Sequence, residues 1–122
     1  MLMGMRLAEI ATERGWDLLS TIAHPGYTRT NLQSSGVNLG GGRQKEPIRR
    51  TLLPSQDVTK GVEPLLFAAT SPDASQGAYY GPGGALGLVG PTKRVSLPRT
   101  SRGVDLPRSM WAVAADLTGT DV

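Results

Sequence analysis

The chain reads as an α/β protein, its elements following the order α-β-loop-α-β-α. Two observations carry this: apolar residues recur at helical spacing in three segments, and short apolar or aromatic runs bounded by turn residues fall between them. A third is compositional, since 16 Gly and 9 Pro in 122 residues allow many turns but only a modest core.

Met3, Leu7, Ile10 and Ala11 repeat at i, i+4, i+7 and i+8, with Arg6, Glu9 and Glu13 on other faces, and Gly15 ends the pattern. The pattern is in register from residue 1 with no capping residue before it, as in a helix that began upstream. Asp17 to His24 (DLLSTIAH) is then a mainly apolar run, as expected for a strand buried on both faces of a parallel sheet. Helix, short turn and strand make half of a βαβ unit. Pro25-Gly26 stops that strand, and little regular pattern follows from Asn31 to Pro54.

Ser55 is positioned to cap a second helix, in which Val58, Val62, Leu65, Leu66 and Ala69 form an apolar stripe. Pro64 lies inside it, so a kink or a 3₁₀ turn is expected there. Ser71-Pro72-Asp73 closes the helix, and Gly77 to Gly81 (GAYYG) reads as a short strand. Residues 85–105 read as irregular. Leu106 to Leu117 is a last helix with Met110, Val113, Ala114 and Leu117 at helical spacing, Pro107 near its start and Gly119 as its stop.

The net charge of +3 conceals a segregation. Arg29 to Arg50 and Lys93 to Arg108 each hold five basic residues against one acid, while the remainder of the chain is acidic. Both stretches contain Gly and Pro, which suits solvated or anion-binding loops better than a nucleic-acid-binding stripe, and no nucleic-acid partner is expected. The absence of cysteine excludes disulfide frameworks and thiol catalysis. It permits a cytoplasmic location, the one expected, and no apolar run approaches the length of a membrane span.

Catalytic and metal constellations are sparse. The single histidine, His24, ends the first strand and reads as structural, the acids are scattered, and no ligand set for a metal is visible. Neither a G-x-G-x-x-G nor a Gly-Lys-Ser/Thr phosphate loop is present. What remains is the stretch from His24 to Leu32 at the end of the first strand, where open α/β sheets bind ligands. A sharp Pro25-Gly26 turn there would leave backbone N–H groups and the hydroxyls of Thr28 and Thr30 for a polar ligand, or would simply be a turn.

Four segments in order, AHPGYTRTNL at 23–32, GVEPLLFAATSP at 61–72, GAYYGPGG at 77–84 and SMWAVAADLTG at 109–119, resemble the C-terminal portion of the short-chain dehydrogenase/reductase family. The resemblance is to members similar to retinol dehydrogenases and protochlorophyllide reductases. It implies the last part of a Rossmann-like, doubly wound parallel sheet, incomplete because the family's dinucleotide fingerprint, catalytic Ser and Tyr-x-x-x-Lys pair would all precede Met1. It also implies NAD or NADP as cofactor, with Pro25, Gly26, Tyr27, Thr28 and Thr30 at the nicotinamide, residues 31–54 as a substrate lid, and a small carbonyl or alcohol as substrate. No tyrosine has a lysine four residues on, so no catalytic residue is assigned and the isolated chain is expected to be inactive. The expected alternative is a non-catalytic remnant that associates, with copies of itself among its partners, through the Pro64 helix and the Tyr79-Tyr80 strand.

Overall fold

The computed structural model describes residues 1–30, 53–103 and 105–120. Helix α1 spans Leu2–Arg14 and ends at Gly15, whose left-handed backbone (φ 65°) lets Trp16 N–H bond back to the Ala11 carbonyl at 2.8 Å. Strand β1, Ile22–Ala23, pairs in parallel with β2, Tyr79–Pro82, with Ile22 opposite Tyr79 and Ala23 opposite Tyr80. Between them runs α2, Val58–Thr70. A third strand, β3 (Thr92–Arg94), lies antiparallel on the other side of β2, so the sheet order is β1-β2-β3. Helix α3, Leu106–Thr118, closes the chain against α1 and stops at Gly119.

The two faces of the sheet carry different helices. Ala23 and Tyr80 point to the α2 side, where Ala68, Ala78 and Tyr80 form a small core with Phe67 and Ala74. The Tyr80 and Phe67 rings meet at 4.9 Å, and the Tyr80 hydroxyl accepts the Ser75 N–H at 2.9 Å. Ile22 points to the opposite face, towards α1, where the Ser20 hydroxyl donates to the Gly4 carbonyl at 2.8 Å. Helices on both faces of a sheet with a parallel pair make this a mixed α/β fold.

Several expectations are corrected. The sheet is mixed and not all-parallel, because residues 85–105 contain β3 together with 3₁₀ turns at Ala85–Gly87 and Arg99–Ser101. The strand expected over Asp17 to His24 shrinks to two residues, with Leu18 and Leu19 exposed. Asp57, not Ser55, caps α2: its carboxylate accepts the Thr59 N–H at 3.1 Å, a bond that lowers its pKa from the ordinary carboxylate value. The helix runs unbroken through Pro64, which is fully buried.

The faces of α2 are also exchanged. Gly61, Pro64 and Ala68 are buried, while the expected apolar face, Val58, Val62, Leu65, Leu66 and Ala69, is exposed. The physical reason is close approach: Gly61 lies directly against the Thr28 side chain, so only a helix face of small residues fits the sheet there. Met110, Val113 and Leu117 of α3 likewise face outward. The lid expected over 31–54 lies outside the described residues apart from Leu53 and Pro54. Among the described residues no helix is long and apolar enough to cross a membrane.

Candidate functional site at the end of β1

The segment beyond β1 is held in place by main-chain bonds together with three side chains, His24, Thr28 and Gln56. His24 N–H still reaches the Tyr80 carbonyl at 3.0 Å, after which the chain turns at Pro25-Gly26. Gly26 has φ 67°, and a Cβ on it would meet the Leu88 carbonyl oxygen and come within 2.6 Å of Pro82 Cγ. Only glycine meets both demands. The Gly26 N–H is accepted by His24 Nδ1 at 3.2 Å, and the Tyr27 N–H by the Leu88 carbonyl at 2.8 Å.

Thr28 then forms a parallel bridge with Gln56, the residue before the α2 cap. Gln56 N–H donates to the Tyr27 carbonyl at 2.9 Å, and Arg29 N–H donates to the Gln56 carbonyl at 3.0 Å. The Gln56 side chain is buried and bonded at both ends: Nε2 donates to the Pro25 carbonyl at 2.8 Å and Oε1 accepts the Gly90 N–H at 3.1 Å. One residue therefore joins the turn, the start of α2 and the loop before β3. Nothing in the apolar pattern singles it out; the signal available was a polar residue between a proline and a helix cap.

Of the sequence-predicted site residues, Pro25, Gly26, Tyr27 and Thr28 form one turn, tied further by the Thr28 hydroxyl, which donates to the Pro25 carbonyl at 2.9 Å. Contrary to the expectation of free N–H groups, those of Gly26, Tyr27 and Arg29 are all consumed internally. The bridge geometry directs the Thr28 N–H and carbonyl to the side away from Gln56, because alternate residues of a parallel pair bond to opposite sides. Thr30 follows as an exposed residue. The Thr28 main chain is thus the part of the turn that the Gln56 bridge does not use, and Thr30 is exposed.

His24 and Tyr79 share one face of the sheet, with ring centroids 5.0 Å apart. Burial lowers the His24 pKa from 6.5 and raises that of the Tyr79 phenol from 10.0. A tyrosine acting as proton donor near neutrality needs the opposite shift.

The second basic stretch is partly structural. Arg108 of α3 reaches Glu13 at 3.4 Å and Glu9 at 3.7 Å, and Arg6 binds the same two carboxylates at 3.3 and 2.9 Å. The four charges clamp α3 onto α1 beside an open cavity of about 370 Å³ lined by Arg6, Ile10, Arg14, Arg108 and Trp111.

No family model matches the chain, and no curated protein does. Among solved structures, it is similar to the crystal structure of an uncharacterized protein from Mycobacterium Paratuberculosis, with 25% identity and a TM-score of 0.67 over 98% of this chain. The match takes in 35% of that protein, so this chain spans about a third of its length. The likeness is one of α/β fold and brings no activity with it.

Proposed function

We propose that this chain forms the nicotinamide-facing part of an NAD(P)-dependent oxidoreductase of the short-chain dehydrogenase/reductase type, acting in the cytoplasm. The complete enzyme would move a hydride between the cofactor and a small carbonyl or alcohol. The observation that supports this most is the locked turn at the carboxyl end of β1, which directs the Thr28 N–H and carbonyl together to the side away from Gln56. A carboxamide offers one acceptor and a pair of donors, and an adjacent main-chain N–H and C=O complement it. Such contacts orient a nicotinamide ring; the hydride chemistry is the cofactor's own. The phosphate grip and the Tyr-x-x-x-Lys pair are not in this sequence, so the chain alone holds the ring weakly and turns nothing over.

Titration of the isotopically labelled chain with NADH and NADPH, followed by amide shifts, tests this. Shifts centred on Thr28 and Thr30 are expected, with an affinity around millimolar, about 4 kcal/mol, and no cofactor oxidation with carbonyl substrates. Rapid turnover, or saturable binding that leaves these amides unmoved, would overturn the reading.

A second reading, a non-catalytic association module, is favoured by the exposed stripe on α2. Val58, Val62, Leu65 and Leu66 are between 42% and 55% exposed, a contiguous apolar face on a small protein. Self-association through this stripe should make sedimentation concentration-dependent in the wild type, and Leu66→Asp should abolish that dependence. A wild-type chain that stays monomeric at every concentration sinks this second reading.

A further inference from the structure

We infer that His24 is a pH-sensitive pin for the Pro25-Gly26 turn, holding it while the imidazole is neutral and releasing it when the ring is protonated. The inference goes beyond the cofactor reading and does not depend on it, because it concerns the conformation of the turn itself.

The geometry fixes the tautomer. Nδ1 accepts the Gly26 N–H at 3.2 Å, so the ring proton of the neutral form must sit on Nε2. The ring can lie this close to β2 only because position 81 is glycine, since a Cβ there would overlap Nε2 and Cδ2 of His24. Tyr79 covers the ring on the same face, with centroids 5.0 Å apart. The imidazole therefore sits in a fitted slot between Tyr79, Gly81 and the turn. Protonation places a hydrogen on Nδ1, and two donors, Nδ1–H and Gly26 N–H, then face each other. The hydrogen bond that ties Gly26 to the ring is then lost, and the turn is released on that side.

The groups around the slot favour the neutral ring. From β2 comes the Tyr79 phenol, uncharged at these pH values as any phenol is, and more so because burial raises its pKa from 10.0. From β3 comes Lys93, which pairs with Gly81 in the ladder and lays its side chain against Gly83. The α1 carboxylates Glu9 and Glu13 are engaged with Arg6 and Arg108. The turn itself brings no carboxylate. Burial lowers the His24 pKa below 6.5 in the folded chain. The sign follows: the folded turn favours the neutral ring, so its stability is full above 6.5 and declines as pH falls from 6.5 through the folded-state value.

Release at Gly26 propagates directly. The next residue, Tyr27, gives its N–H to the Leu88 carbonyl, and the aim of Thr28 depends on that anchorage. Acid should therefore disorder the turn as a unit and leave the α1–α3 clamp intact.

The test is a pH titration of the labelled chain without cofactor, from about pH 8 to about pH 5, the range in which histidine titrates. The His24 ring carbons and the amides of Gly26 and Tyr27 should move with one common midpoint below 6.5, the unshifted value. In His24→Asn, whose side-chain oxygen can accept the Gly26 N–H but does not titrate, the two amides should stay constant across the same range. Gly26 and Tyr27 amides that ignore the His24 midpoint in the wild type would overturn the inference, as would an Asn variant that still titrates there.

Discussion

Gly26→Ala is expected to lower the stability of the chain by about 3 kcal/mol or more, among the largest effects of any single substitution. Two independent penalties add. Holding a non-glycine residue at φ 67° costs about 1 kcal/mol. The new methyl would also meet the Leu88 carbonyl and lie within 2.6 Å of Pro82 Cγ, and neither neighbour is a flexible side chain end that can swing away. Leu88 is held by the bond from Tyr27 N–H, and Pro82 is fully buried in β2. Gly15→Ala separates the two penalties, because Gly15 has φ 65° yet nothing within 4 Å of its would-be Cβ. Denaturant unfolding should therefore give about 1 kcal/mol for the control. Equal losses at the two positions would show that strain alone matters and that the Leu88 contact does not hold the turn.

The same contrast explains what could be read in the sequence. Helices α1, α2 and α3 were legible because apolar spacing and stop signals agree, and two of the three stops are left-handed glycines, Gly15 and Gly119. Which face each helix buries was not legible. In α2 the buried side is set by the need to clear Thr28, so small Gly61, Pro64 and Ala68 face inward and the larger Val62 and Leu66 do not. Periodicity locates a helix but cannot distinguish a face packed in the same domain from one directed outward. Strand β3 was illegible for a different reason: Thr92-Lys93-Arg94 is polar, as befits an edge strand that must not recruit another chain. At the site, the Pro25-Gly26 turn was visible from residue type and position. Its fastening was not, because that depends on Gln56 and Leu88, 30 and more residues away in sequence, and on a His24 ring that single-residue chemistry marks only as structural.

Gln56→Leu should cost about 2 to 4 kcal/mol, the sum of a lost hydrogen bond and a buried donor left without a partner. The two ends of the side chain are not equivalent. The Pro25 carbonyl keeps a second donor, the Thr28 hydroxyl, when Gln56 Nε2 is removed, whereas the Gly90 N–H loses its side-chain acceptor. Most of the damage should therefore fall on the loop before β3. Because the main-chain bridge from Gln56 to Tyr27 and Arg29 does not involve the side chain, the turn should stay in place. Hydrogen exchange should then quicken first at Gly90 and at Tyr27, whose N–H depends on the neighbouring Leu88 carbonyl, and only later at Arg29. Gln56→Glu sharpens the test. Protonated, a glutamic acid can donate to the Pro25 carbonyl and accept from the Gly90 N–H; ionised, it sets a buried negative oxygen against a carbonyl, which raises its folded-state pKa. A raised pKa means stability near wild type below the unfolded value of about 4.3, lost as pH rises through the folded value. Urea midpoints measured across that interval should fall with rising pH in the Glu variant and not in the Leu variant. A Glu variant with pH-independent stability would show that the side chain does not bridge Pro25 and Gly90, and that the loop before β3 is anchored by its main-chain bonds, such as those to the Leu88, Val89 and Pro91 carbonyls.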